Sequence, residues 1–282
     1  MRVVAYITNA AIIVAAIACA QPASAANPPK RIASFNVCAD QLVVALADPE
    51  QIVALSPNAR DASISVVVDE AAQYPLIGRQ AEAMVPLKPD LVLVGPWDRP
   101  LTQRMLHVLG FRIVGVNIVN DLTAGIAQIR EVAELLGHPE RGEALIAKIE
   151  AARRRLAAAK PKATTAMLVG NAGYTVGPDS LAAALMAEAG LSPPPGAPGG
   201  YGSFVPLEKL ITLRPDYLIM ASIIERPAGQ GALYLTHPAL QKLYPPARRI
   251  VLPARYTMCA GPSLVGAFDY LTDVVSRLTA TK

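Results

Sequence analysis

The chain has 282 residues, of which 52% are apolar and 17% charged, and 26 lysines and arginines against 22 acids leave a formal charge of +4. That length suits two lobes of ordinary domain size. The positive excess is small and scattered, which excludes a nucleic-acid partner; its one dense run, Arg153-Arg154-Arg155, sits on a helical pattern beside Glu150 and reads as a solvated helix face.

Residues 1–25 carry one charge, Arg2, then an apolar run over 10–20, then Ala23-Ser24-Ala25. This is the pattern of a secretory signal peptide with cleavage after Ala25, and the run is too short and alanine-rich for a good membrane span. A rival reading lipidates Cys19, but Ala16-Ile17-Ala18-Cys19 lacks the leucine of a good lipobox.

After the leader, RIASF (31–35) predicts a strand, Ala39–Leu46 a helix and IVALS (52–56) a second strand. LVLVG (91–95), a helix over 101–110 stopped by Gly110, and RIVGV (112–116) continue the alternation, which argues for a parallel doubly wound sheet. Asp121 reads as the N-cap of a helix ending at Gly137, and Pro139 restarts a second helix that runs to Ala159. Twenty helical residues extend about 30 Å, enough to carry the chain from one lobe to another. A second alternating region follows: AMLVG (166–170), a helix over 180–189, YLIM (217–220), RIVLP (249–253) and a last helix over 261–278. SPPPGAPGGYGSF (192–204) has no helical or strand period and is expected to be a loop bordering a cleft. The fold class is therefore α/β, two Rossmann-like lobes with parallel sheets joined by a long helix: leader 1–25, first lobe 26–138, connecting helix 139–159, second lobe 160–282.

One phrase occurs twice. EAMVPLKPDLVLV (82–94) and EKLITLRPDYLIM (208–220) share a Glu, an apolar helical turn, Leu-Lys/Arg-Pro-Asp and a buried strand. A short helix ending before a proline and feeding an apolar strand is one αβ unit of a parallel sheet. Two copies imply two similar lobes, and a cleft between lobes is a usual ligand site.

These phrases, with RIASFNVCADQLVVALADPEQIVALS (31–56), FVPLEKLITLRPDYLIM (204–220) and LTHPALQKLYPPARRIVLPA (235–254), carry a resemblance over residues 30–278. The chain resembles the cobalamin/ferric-siderophore class of periplasmic substrate-binding proteins of ABC importers. The resemblance implies that helix 139–159 is an inter-lobe spine permitting little closure. It also implies that Glu82 and Glu208, one per lobe, dock onto arginines of a membrane permease dimer. It further implies a periplasmic monomer that binds an iron-siderophore, with a corrinoid as the alternative, haem or another metal chelate after it, and no cofactor.

Catalysis is weakly supported. His107, His138 and His237 have no metal-ligand spacing to one another or to acids, GNAG (170–173) lacks the Lys-Ser/Thr of a phosphate loop, and no histidine falls in the segments expected to line the cleft, 34–40, 57–62, 95–100, 171–178, 199–204 and 255–260. No catalytic residue and no metal site are expected, which disfavours a chelatase-like enzyme. Cys38 and Cys259 fall in opposite lobes at strand-to-helix turns. A bond between them, plain buried thiols and ligand contact all remain open. Aromatics at strand ends, where parallel sheets meet ligands, are the pocket candidates: Trp97, Tyr174, Tyr201 and Tyr256, with Phe204 nearby. An anionic chelate would want guanidinium groups, and Arg60 and Arg255 lead a set that includes Arg79, Arg99 and Arg226.

Overall fold

The computed structural model describes residues 27–78, 80–96, 98–159, 162–221 and 230–280. The expected leader with Cys19, together with Arg79, Trp97 and Arg226, lies outside them.

The first lobe is built from β1 (Ile32–Ser34), α1 (Val37–Leu46), β2 (Ile52–Ala54), α2 (Val68–Ala71), β3 (Leu91–Val94), α3 (Pro100–Val108) and β4 (Ile113–Gly115). Its four strands are all parallel in the order β2-β1-β3-β4. Two helices follow, α4 (Leu122–Leu136) and α5 (Pro139–Ala158). Asp121 caps α4 by accepting the Ala124 N–H, and Gly137 ends it in the left-handed region at φ 89°.

The second lobe contains β5 (Thr164–Leu168), β6 (Tyr174–Val176), α6 (Leu181–Glu188), β7 (Leu191–Ser192), β8 (Gly202–Phe204), α7 (Leu207–Leu213), β9 (Tyr217–Met220), α8 (Gln230–Leu233), α9 (Pro238–Leu243), β10 (Arg249–Val251) and α10 (Ser263–Ala280). Its main sheet, β7-β5-β9-β10, is parallel and repeats the strand order of the first lobe. A two-stranded antiparallel ribbon, β6-β8, is added at the cleft side. It draws β8 out of the stretch 192–204 that its Pro/Gly content marks as loop: backbone pairing with residues 174–176 supplies order that local propensity does not, while Ser192 is taken up by β7 pairing with β5.

The doubled phrase is doubled in three dimensions. Lys88 N–H bonds to Met84 O at 3.1 Å and Arg214 N–H to Leu210 O at 3.1 Å. Both residues then leave the helix at φ 45°. Asp90 accepts the N–H groups of Lys30 and Arg31 at 2.8 and 3.0 Å, at the start of β1. Asp216 accepts the N–H and hydroxyl of Thr165 at 3.0 and 2.6 Å, at the start of β5. Each aspartate therefore fixes where the neighbouring strand begins.

One face of each sheet packs into a core shared by both lobes, running from Ile32, Leu42 and Leu93 through Leu145, Ile149, Ala152 and Leu156 of α5 to Ala166, Leu185 and Leu271. Each opposite face has its own smaller core, around Val92 and Met84 in the first lobe and around Leu218 and Tyr244 in the second. The arginine run lies on a solvated face, and two of its members also make ion pairs there: Arg153 with Glu188 of α6 at 2.7 Å and Arg155 with Asp269 of α10 at 2.6 Å. Among the described residues no helix is long and apolar enough to cross a membrane.

Candidate functional site

The C-terminal ends of the first lobe's strands all face one cavity of about 500 Å³. After β1 come Phe35, Asn36 and Cys38; after β2, Ser56, Pro57 and Asn58; after β3, Gly95, Asp98 and Arg99; after β4, Asn117 and Ile118. Position follows from topology, since parallel strands end together and their loops cluster. The second lobe supplies Tyr201 from the turn before β8 and residues 257–260 between β10 and α10.

The walls are held by short polar contacts. Asn36 caps α1, its Oδ1 accepting the N–H groups of Cys38 and Ala39 at 3.0 and 3.1 Å. Its amide lies so close to Gly95 that a Cβ there would fall 2.6 Å from Asn36 Nδ2. Only glycine leaves that side chain in place. Asp98 accepts the Gly95 N–H at 2.6 Å, and Gln128 of α4 donates to the Asn117 carbonyl at 2.7 Å.

Behind the wall, Asp40 of α1 is fully buried. It accepts the Ser56 N–H at 3.0 Å and the Ser56 hydroxyl at 2.5 Å. Burial raises its pKa to about 7, against the opposing hydrogen bonds of Ser56 and Ser34 and with a further push from Asp98.

Cys38 and Cys259 form a disulfide across the floor of the cleft, Cα atoms 5.2 Å apart. Cys38 is half-buried in the first turn of α1 and Cys259 is buried just before α10, so the bridge ties a loop of one lobe to a loop of the other.

Tyr201 lines the cavity, half-exposed. The other candidates are placed differently. Tyr174 sits in β6 with its ring edge against Phe204, centroids 5.4 Å apart, outside the cavity wall. Tyr256 packs on Tyr270 at 5.6 Å and lies beneath the wall. Arg60 donates to the carbonyls of Ala71, Ala72 and Tyr74 at 3.2, 2.9 and 2.6 Å, so its guanidinium ties α2 to the 57–60 turn. Arg255 stacks over Tyr256 at 5.0 Å and donates to the Ala62 carbonyl across the lobe boundary at 3.2 Å. In each case local backbone carbonyls or rings take up a group that strand-end position alone assigns to ligand. Trp97 lies outside the described residues, between the lining residues Pro96 and Asp98.

Sequence reasoning named the segments that hold Asn36, Asn58, Asp98 and Met258 without naming these residues, and missed Asn117; all five line the cavity, and Asp40 lies behind it. Strand-end position was available for the asparagines; nothing in the local pattern marks Asp40, which reads as an ordinary first-turn acid of a helix.

Glu82 opens the 3-10 turn Ala81–Met84 and Glu208 opens α7; both are exposed. Among the described residues no group of three His, Cys, Asp or Glu is arranged to hold a metal ion.

Two parallel sheets in one repeated order, a spine helix and a ligand-sized cavity between their C-terminal edges define a two-lobed binding protein. The chain belongs to the periplasmic binding protein family, whose model matches residues 32–248. Solved structures of similar fold include the periplasmic heme-binding protein RhuT from Roseiflexus sp. RS-1, 24% identical, with 88% of this chain and 98% of that one covered and a TM-score of 0.71. A periplasmic heme-binding protein from Pseudomonas aeruginosa is 22% identical, covering 88% and 93%, with a TM-score of 0.70. The vitamin B12 binding protein BtuF of Vibrio cholerae is 17% identical, covering 90% and 99%, with a TM-score of 0.67. No curated protein matches the chain in sequence. The chain shares its fold with these periplasmic heme- and vitamin B12-binding proteins.

Proposed function

We propose that this protein captures a metal chelate of low net charge in the periplasm and hands it to the permease of an ABC importer. The cleft carries the reading: a cavity of about 500 Å³, walled largely by apolar and amide groups, open between two lobes. That volume is in the range that encloses a small organic ligand. The charged residues among the described lining are Asp98 and Arg99, one of each sign. An anionic ferric siderophore would need more cations than the described lining supplies, and Arg60 and Arg255 are engaged elsewhere. The balance favours a metal tetrapyrrole, haem or a corrinoid. Tyr201 and Met258 face the cavity from the second lobe, and phenolate and thioether are both ligand types for haem iron. A ferric siderophore of the uncharged hydroxamate kind is the second reading, supported by the amides of Asn36, Asn58 and Asn117.

The test is titration of the purified mature protein with haemin, cobalamin and hydroxamate and catecholate ferric siderophores, following ligand absorbance and the fluorescence of the sole tryptophan, Trp97. Saturable one-to-one binding of haemin or cobalamin is expected. Binding of the catecholate chelate alone would overturn the charge argument, and binding of none would overturn the reading.

Delivery rests on Glu82 and Glu208. Equivalent exposed carboxylates, one per lobe, set register on a two-fold permease more than they set affinity. Replacing both with Ala is expected to leave ligand affinity and melting temperature unchanged and to abolish uptake; normal uptake would refute the docking role.

A further inference from the structure

Among the described residues Asp40 is the only carboxylate that is fully buried. It does not line the cleft, yet its closest partner, Ser56, does. Its two oxygens take the N–H and hydroxyl of Ser56. The Ser56 oxygen in turn accepts the Asn58 N–H at 3.2 Å and so caps the 3-10 turn Pro57–Arg60. Ser56, Pro57 and Asn58 form one side of the cleft. A relay therefore runs from the Asn58 amide through the Ser56 hydroxyl to the carboxyl behind it.

We propose that Asp40 is a positioning residue for ligand binding: through Ser56 it fixes the wall formed by residues 56–58, and so couples proton uptake at a buried carboxyl to affinity in the cleft. The proposal rests on the binding reading above. With the carboxyl ionised, the Ser56 hydroxyl is committed as donor to Asp40 and its oxygen is free to accept from Asn58, and both bonds gain from the charge. With the carboxyl protonated, the charge that strengthens both bonds is gone and the Ser56 hydroxyl is no longer committed as its donor, so the anchor of the turn weakens. Binding is thus tighter with Asp40 ionised. Burial places its titration near neutrality.

The groups facing Asp40 are few. Ser34 comes from β1, Ser56 from the loop after β2, and Asp98 from the loop after β3, the last disfavouring ionisation. Arg60, on the capped turn itself, is held by the carbonyls of residues 71–74. Arg141 of α5 reaches α1 only at its far end, donating to the Leu46 carbonyl. The described residues thus give the carboxyl no cationic partner that would hold it ionised.

The test uses the mature protein, haemin as probe, and the variants Asp40→Asn and Ser56→Ala. Haemin affinity is measured from pH 5.5 to 8.5, and each value is divided by that of Asp40→Asn at the same pH, so that titration of haemin itself cancels. The ratio is expected to rise about fivefold or more with pH, a typical coupling size, with its midpoint near the Asp40 titration. Ser56→Ala, divided in the same way, is expected to be flat. A rise that persists in Ser56→Ala would make the effect plain electrostatics and overturn the positioning role; a flat wild-type ratio would do the same. The ligand-free protein supplies an independent readout: the Asn58 amide resonance should follow the Asp40 carboxyl resonance with pH and stand still in Asp40→Asn. If haemin fails to bind while Asn58 follows the carboxyl, the tetrapyrrole reading falls and the positioning stands. If haemin binds and Asn58 ignores the carboxyl, the positioning falls and the reading stands.

Discussion

The two lobes agree at one end and differ at the other. Where their strands begin, they match closely: the same strand order, an aspartate anchoring the neighbouring strand, and a basic residue at φ 45° before Pro-Asp. Where their strands end, the first lobe offers four cavity-lining loops and the second offers Tyr201 and one turn, 257–260, while β6 and β8 pair into a ribbon. The beginnings carry the fold, since they set register and depth in a shared core. The ends form the cavity wall, and they differ between the lobes because the parallel ladders of the two main sheets do not run through them. The disulfide and the Arg255 bond to Ala62 are where these divergent ends meet.

Breaking that meeting point should have the largest effect. Replacing Cys38 and Cys259 with Ser is expected to cost about 2–5 kcal/mol, toward the upper end because the loop closed spans 221 residues. Denaturant unfolding measures it. If the loss is under about 1 kcal/mol, the shared core alone sets the lobe arrangement and the bridge is incidental.

Asp40 is next, and it separates a first-lobe end from anything in the second. Its folded pKa is raised from 3.8 to about 7, so the folded protein keeps a proton that the unfolded chain releases near pH 4. The contribution of this group to stability is complete below about pH 4 and is lost as pH rises to about 7, a change of roughly 4 kcal/mol at most. Asp40→Asn stays neutral and should lack that fall, so the variant gains on the wild type between pH 4 and 7. Parallel stability curves for the two proteins would show that Asp40 titrates normally.

Asp90→Ala and Asp216→Ala probe the matching ends. Each variant removes two hydrogen bonds at a strand start, both partly solvated, so a loss of about 1–2 kcal/mol is expected from each. Equal melting shifts support equivalence; a twofold disparity would mean that one lobe has taken over the folding role.

What the sequence made legible divides along the same line. The doubled phrase, the spine helix with its Asp121 cap and Gly137 stop, and the alternation of strands and helices are local patterns, and each reappears in the structure. Of the strand-end candidates, Tyr201 lies on the cavity wall. Tyr174, Tyr256, Arg60 and Arg255 lie off it because residues at strand ends also anchor loops, and whether a guanidinium faces the cavity or a carbonyl depends on contacts far along the chain, such as Arg255 with Ala62. Asp40 was invisible for the same reason: its role comes from Ser56, brought to it by the pairing of β1 with β2.

The smallest effect tests the comparison most sharply. Lys88 and Arg214 both hold φ 45°, a left-handed backbone that costs a side-chain-bearing residue about 1 kcal/mol or somewhat more. Glycine adopts it freely but loses more chain entropy on folding, by roughly 0.5–1 kcal/mol. Lys88→Gly and Arg214→Gly should therefore each be neutral or stabilising by up to about 1 kcal/mol, and by the same amount, since both follow an i→i−4 bond and precede proline. Both residues are exposed, so little packing is lost with the side chain. Alanine at the same positions keeps the backbone cost and should gain nothing. If one lobe gains from glycine and the other loses, the two turns differ in what holds them, and the repeat is a likeness of backbone path without a likeness of energetics.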